Sequence, residues 1–156
     1  MKKTNKIVVF DLDGTLADIR SRRALANIGR KRIDWKVFFD PFNIALDKPN
    51  VPVIESFKAL KEAGNTMVIF SGRDSISEDM TKLWLENHGI EYDFMRMRPQ
   101  GDYTPDDTLK RDWMNELNVG GLTKDDVLCI FDDRDKVVKM WREEGFHCFQ
   151  VAPGDF

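Results

Sequence analysis

The 156-residue sequence predicts an α/β fold: a five-stranded parallel sheet flanked by helices, with a small helical segment inserted after the first strand. Three observations carry this prediction. Short β-branched or aromatic runs alternate with stretches of helical periodicity, the pattern of repeated βαβ units. The first run, Lys6-Ile7-Val8-Val9-Phe10, is apolar from Ile7 onward, as a strand covered on both faces requires. Between it and the first crossover helix lie roughly three dozen residues, more than an ordinary strand-to-helix loop takes up.

After the first run, strands are expected near residues 66–70, 93–97, 126–131 and 146–151. Pro52 suits the first turn of a helix that buries Val53, Ile54, Phe57 and Leu60 and stops at Gly64. Ser75 and Glu78 form a capping-box pattern ahead of Met80, Leu83 and Trp84, with Gly89 as the stop. Thr104 and Pro105 precede Asp106 and Asp107, which place negative charge at the positive end of a helix whose apolar face is Leu109, Trp113 and Leu117. A last helix runs from Asp135 through Val138 and Trp141 to Gly145. The insertion reads as two short helices, residues 19–30 and 35–46, closed by a proline-containing turn. Residues 1–16 and 52–156 are therefore expected to form a catalytic core, and 17–51 a small helical cap over the carboxyl edge of the sheet.

A net charge of −3 provides no global attraction to polyanions, so any nucleic-acid contact must be local. The basic start of the chain, Lys2, Lys3 and Lys6, is not followed by the apolar region of a signal peptide, and no stretch approaches the ~20 apolar residues that span a bilayer. A cytoplasmic protein without membrane contact is expected. Cys129 and Cys148 sit in apolar runs with no partners at metal-ligand spacing and read as small buried hydrophobes.

Chemistry concentrates at the predicted strand ends. Asp11-Leu12-Asp13-Gly14-Thr15 follows the first strand, where ligands bind in open parallel sheets. Two carboxylates on alternate residues can approach one hard cation, or divide into a nucleophile and a proton carrier. A polar turn is the plain alternative for the tetrapeptide alone. The second strand ends in Ser71-Gly72-Arg73, a hydroxyl, a glycine and a guanidinium suited to phosphate. The fourth ends in Asp132-Asp133-Arg134-Asp135. Lys110 lies one turn after Asp106, so the pair is either a surface ion pair or a cation held over gathered negative charge.

These four elements in this order resemble the haloacid dehalogenase-like (HAD) superfamily over essentially the whole chain. The resemblance implies a Rossmannoid, HAD-like fold and a phosphatase. Within it, Asp11 would be phosphorylated, Asp13 would act as general acid and base, and Ser71 and Lys110 would hold phosphate. Asp11, Asp132, Asp133 and a backbone carbonyl near Asp13 would bind Mg²⁺. The C-terminal half, including Arg98-Pro99-Gln100-Gly101-Asp102, Val137-Val138, Met140-Trp141 and Gly154-Asp155-Phe156, looks like the 3′-phosphatase domain of bacteriophage polynucleotide kinase/phosphatase. That likeness implies removal of a 3′-phosphate from a polynucleotide end or nucleotide, with Arg22, Gly72, Arg73, Arg98 and Asp106 as substrate-binding candidates. The 156 residues hold no G-x-x-x-x-G-K-[ST], so no kinase activity is expected of them.

The expected substrate is a phosphorylated nucleotide or a single-stranded nucleic-acid end, with no obligate protein partner. Two alternatives stand beside this reading: a 5′- or 3′-nucleotidase acting on free monophosphates, and a non-catalytic module that binds nucleic-acid ends. Arg20, Arg22, Arg23, Arg30, Lys31, Arg32 and Lys36 form either a basic rim or a solvated face. Trp35, Phe38 and Phe39 either stack on a base or pack the cap. His88 and His147 have no recognisable catalytic partner.

Overall fold

The computed structural model describes residues 5–30 and 32–156; the N-terminal residues 1–4 and Lys31, part of the basic clusters above, lie outside the described residues. The chain opens with β1 (Ile7–Phe10) and enters the insertion through β2 (Ala17–Asp18). Three short helices follow, α1 (Arg20–Ala26), α2 (Trp35–Phe38) and α3 (Pro41–Ile44), before β3 (Lys48–Pro49) pairs antiparallel with β2. The core resumes with α4 (Val51–Glu62), β4 (Thr66–Asp74), α5 (Glu78–Asn87), β5 (Phe94–Arg98), α6 (Asp106–Glu116), β6 (Val127–Asp132), α7 (Asp135–Glu143) and β7 (Cys148–Gln150).

The sheet order is β5-β4-β1-β6-β7, with every pair parallel. The chain builds outward from β1 through β4 to β5, then returns to place β6 on the other side of β1. Ligands are expected at this reversal, beyond the strands' carboxyl ends. The alternation of side chains along β1 divides the core. Val8 and Phe10 pack with Ile54, Phe57, Trp84 and Leu85 on one face, whereas Ile7 and Val9 pack with Leu109, Trp113, Val137 and Trp141 on the other.

The five strands and four core helices match the sequence expectation, and the differences have local causes. The helix expected over residues 35–46 breaks at Asp40, because a residue preceding proline is forced out of the helical region. Asp40 is extended and its side chain caps Phe42 instead. The helix expected to reach Arg30 ends at Ala26, after which Asn27 turns extended and accepts a bond from the Gly29 amide. Ser75 does not cap α5. Asp74 caps the single 3₁₀ turn before it, while the Ser75 hydroxyl accepts from the Gln100 amide. The buried face of α5 is Thr81, Trp84 and Leu85, preceded by Ser77, and Leu83 is exposed. Trp35, Phe38 and Phe39 contact one another within the insertion, which favours the packing role for these rings. Cys129 and Cys148 are free and buried, and burial pushes the Cys148 thiol up to about 12.

Candidate active site

The turn after β1 is fixed by its own backbone. The Asp11 amide donates to the Phe131 carbonyl of β6, and the Thr15 and Ala17 amides both donate to the Leu12 carbonyl. Gly14 has a left-handed backbone, and a Cβ there would lie 1.9 Å from Asp133 Oδ2. Glycine is therefore required on two counts, conformation and space.

This turn brings Asp11 against Asp132 and Asp133, with ligand oxygens of all three within 4.8 Å of one another. All three residues are buried. One cation faces them: Lys110 Nζ lies 2.9 Å from Asp11 Oδ1 and 3.2 Å from Asp132 Oδ2. Thr15 donates to Asp11 Oδ2 at 3.1 Å. Lys110 is 3.8 Å from Asp106, so the pair expected on one helix face is present but buried against the carboxylates. Burial favours a neutral Lys110. Asp106, Asp11 and Asp132 outweigh this and hold its ammonium well above the usual range. The carboxylates shift the other way. Burial, and then Asp11, push Asp132 up to about 7; burial, Asp11 and Asp132 push Asp133 up to about 10. Three buried carboxyl groups face one ammonium, so without a further cation burial keeps a proton on Asp133, and their oxygen donors suit a hard divalent cation that would replace it.

Asp13 faces a different environment. Its Oδ1 accepts from Arg22 and, at 2.8 Å, from Arg73 Nε. The same guanidinium groups reach Asp47, Arg22 at 2.7 Å and Arg73 at 3.3 Å. Arg22 also donates to the Phe38 carbonyl, and Arg73 to the Thr81 hydroxyl. Burial alone would raise the Asp13 carboxyl, but Arg22 and Arg73 together hold it well below the usual carboxylate range. Arg22 and Arg73, expected at the substrate, are here engaged with the carboxylates of Asp13 and Asp47. Both are buried, at 2% and 0% exposure. The Asp13 side chain does not join the Asp11, Asp132 and Asp133 trio, which leaves its backbone carbonyl as the group assigned to metal.

Ser71 is fully buried at the end of β4, its hydroxyl accepting from the Arg73 amide at 3.2 Å. The strand bulges between Ser71 and Asp74 against β5. At Gly72 a Cβ would come within 2.3 Å of Asp106 Oδ1, so glycine makes room for that carboxylate. Arg98 binds the Gly72, Asp102 and Thr104 carbonyls through Nε and Nη1, and its Nη2 stands 3.6 Å from Asp106 Oδ1. Arg134 Nη1 lies 3.6 Å from Asp106 Oδ2. Asp106 is thus flanked by two arginines beside Lys110, with its buried Oδ1 making no hydrogen bond.

Asp11, Asp132, Asp133 and Lys110 therefore meet as expected, with Ser71, Gly72 and Asp106 on the adjoining β4–α6 side. Two participants escaped the sequence reading. Asp47 ties both arginines of Asp13, yet it sits 25 residues from Arg22 and 26 from Arg73 in a segment that reads as a turn. Arg134 belongs to a quoted motif, and only the fold shows it beside Asp106.

This fold and constellation define a HAD-type phosphatase. The family model for the polynucleotide kinase PNKP phosphatase domain matches residues 5–156. The chain belongs to that family. It is 33% identical over 144 residues to a protein of Autographa californica nuclear polyhedrosis virus that carries the provisional name of bifunctional polynucleotide kinase/RNA ligase, covering 90% of this chain and 18% of the relative. A chain of the Pnkp1/Rnl/Hen1 RNA repair complex superposes with a TM-score of 0.80 at 30% identity, covering 99% of this chain and 45% of that one. A Clostridium difficile protein provisionally named a phosphatase shares the fold, with a TM-score of 0.64 at 18% identity over 96% of this chain and 86% of its own. The chain thus spans less than half the length of the polynucleotide-repair relatives. No helix among the described residues is long and apolar enough to cross a membrane.

Proposed function

We propose that this domain is a Mg²⁺-dependent phosphomonoesterase that removes the 3′-phosphate from a polynucleotide end through an aspartyl-phosphate on Asp11. The observation that supports the chemistry is the convergence of Asp11, Asp132 and Asp133 on one point beside Lys110. Residues 17–51 serve as the cap of that site. Asp11, Asp132, Asp133 and the Asp13 carbonyl would hold Mg²⁺, which when bound neutralises negative charge on the transferring phosphoryl group.

In the first half-reaction an Asp11 oxygen attacks phosphorus as the bond from phosphorus to the 3′ oxygen breaks. Asp13 gives that departing oxygen its proton. In the second half, water attacks the aspartyl-phosphate and Asp13 takes up a proton from it, releasing phosphate and restoring the Asp11 carboxylate. In the substrate-free protein Asp13 is the base form, since Arg22 and Arg73 hold its charge. Before the first step Asp13 takes up a proton from solvent, which the negative charge of bound phosphate favours by offsetting the two guanidinium groups, and each turnover returns that proton from the attacking water. Ser71 and Lys110 hold the phosphoryl oxygens, and Lys110 also orients Asp11.

The family and its named relatives support a polynucleotide substrate, as do Arg98 and Arg134, whose remaining donors flank Asp106 and suit a second phosphate of the strand. A 3′-hydroxyl end is what a nucleic-acid ligation step consumes, which fits membership of a repair system of the kind the Pnkp1/Rnl/Hen1 complex is named for. The test compares kcat/KM for a 3′-phosphorylated oligonucleotide with those for 3′- and 5′-mononucleotides. We expect an advantage of roughly tenfold or more for the oligonucleotide, worth about 1.4 kcal/mol. Equal or better turnover of a free mononucleotide would establish the nucleotidase alternative. Failure to hydrolyse even an aryl phosphate in Mg²⁺ would point to the non-catalytic binding module.

A further inference from the structure

The turn carrying Asp132 and Asp133 is tied along its length by residues 150–156, to which neither the motifs nor the mechanism assign a task. β7 pairs with β6 up to the register of Asp132 with Gln150, and the Val151 amide then donates to the Asp132 carbonyl at 3.1 Å. Gln150 Nε2 donates to the Asp133 carbonyl at 2.9 Å and to Asp135 Oδ1 at 2.6 Å. The Asp135 amide donates to the Gly154 carbonyl at 2.7 Å, and the Gly154 amide returns a bond to Asp135 Oδ1 at 3.3 Å. Arg134 Nε donates to the Phe156 carbonyl at 2.6 Å. The Phe156 ring lies under two guanidinium groups, Arg134 of the turn and Arg23 of α1 in the insertion. Each residue of the turn is thus fastened to the same short segment.

Gly154 is the tightest point of this contact. A Cβ there would stand 2.1 Å from the Asp133 carbonyl oxygen and 2.7 Å from Arg134 Cα, both backbone atoms that cannot swing aside. Its φ does not lie in the left-handed region, so the requirement is for space and not for backbone freedom. On the opposite side, Gly14 leaves room for the Asp133 carboxylate. Asp133 is held between two glycines, one at its carbonyl and one at its side chain. Groups that orient a metal ligand from behind tune its affinity, and removing them costs on the order of 10- to 100-fold in metal binding.

We propose that residues 150–156 form a positioning strap that fixes the Asp132–Asp133 pair for the cation, with Gly154 as the residue that permits its close approach. This inference rests on the Mg²⁺ reading of the site. The strap contacts no reacting atom and acts through the ligands, so its signature is metal affinity. The experiment titrates MgCl₂ alone into the substrate-free protein by calorimetry, and follows amide exchange at Asp133 and Arg134, whose N–H groups donate to Asp132 Oδ1 at 2.9 and 3.3 Å.

In Gly154→Ala we expect Mg²⁺ affinity to fall by about tenfold or more. Exchange at both amides should be faster, and kcat should recover at saturating Mg²⁺. Gln150→Ala, at an exposed position where truncation opens no buried cavity, should shift affinity the same way by a smaller factor. Gly120→Ala strains a left-handed turn elsewhere without steric conflict, and should lower stability while leaving Mg²⁺ affinity unchanged. Unchanged Mg²⁺ affinity in both Gly154→Ala and Gln150→Ala would overturn the strap. A wild-type protein that binds no Mg²⁺ would instead overturn the metal reading. In that case unchanged amide exchange in the two variants would separately dispose of the strap.

Discussion

Asp11 and Asp13 are separated by one residue and share a motif, yet they belong to electrostatically opposite clusters. Around Asp11, three buried carboxylates meet one ammonium, and Asp133 is pushed up to about 10. Around Asp13, two carboxylates meet two guanidinium groups, and Asp13 is held well below the usual range. The first cluster has more carboxyl groups than cations, so it either keeps a proton or takes a further cation. The second is balanced, and it joins the insertion to the core, since Arg22 and Asp47 come from the inserted residues and Asp13 and Arg73 from the strand ends. Crowded carboxyl groups mark where the proposed ligand and reaction belong, whereas matched charge holds Asp13, the proposed proton carrier, in place.

Asp11→Asn tests the unbalanced cluster with the largest expected effect. Amide replaces the proposed nucleophilic carboxylate at nearly constant shape, so turnover at saturating Mg²⁺ should drop by roughly 10³-fold or more while the protein stays folded. Full activity would sink the aspartyl-phosphate mechanism. The balanced cluster answers through stability. Arg73→Ala leaves Asp13 and Asp47 to share Arg22 alone, and removing one partner of a buried ionic cluster in this way costs about 3–5 kcal/mol. Arg73→Lys should recover little, because a single ammonium cannot reproduce the fork that reaches Asp13, Asp47 and Thr81. A melting temperature in Arg73→Ala equal to that of the wild type would show that the cluster is not a structural tie.

Asp133→Asn should move stability in the opposite direction. Its carboxyl shifts from 3.8 to about 10 on folding, so without Mg²⁺ the folded form keeps a proton that the unfolded chain releases above about pH 4. Stability from this group is present at low pH and is lost as pH rises through that interval. The asparagine variant removes the dependence. At pH 8 in chelator it should melt a few degrees above the wild type, on the order of 2–4 °C for about 1 kcal/mol, even as phosphatase activity falls. A lower melting temperature under those conditions would mean that the folded protein stabilises Asp133 as an anion.

Legibility in the sequence followed the same division. The five strands announced themselves because each is an apolar run between turn signals, and Asp11, Asp132 and Lys110 could be placed because each sits at a strand end or one turn into a helix. The Asp13 cluster was not readable. The carboxylate partners of Arg22 and Arg73 leave no trace in a linear sequence, since a guanidinium beside a motif carries no sign of which buried carboxylate it reaches. Asp47 resembles any acid in a proline turn until α1 and β4 are folded against it. The insertion was misjudged where one residue decides the backbone: Pro41 splits the second helix through Asp40, and Gly29 and Arg30 adopt left-handed conformations beyond the first.

The smallest expected effect concerns the rim of the insertion, where basic residues are neither balanced by the Asp13 cluster nor buried. Arg20 is already matched with Asp18 at 2.6 Å, whereas Arg32 and Lys36 stand exposed. If they meet the substrate strand, each releases about 0.7 counterion from single-stranded nucleic acid on binding. The double variant Arg32→Ala/Lys36→Ala should then flatten the log–log salt dependence of oligonucleotide KM by about 1.4. It should leave the melting temperature and the hydrolysis of a small aryl phosphate unchanged, because neither side chain touches the core. An unaltered salt slope would make this face a solvated surface, and substrate recognition would then fall to Arg98 and Arg134 beside Asp106, within the cluster whose charge is unbalanced.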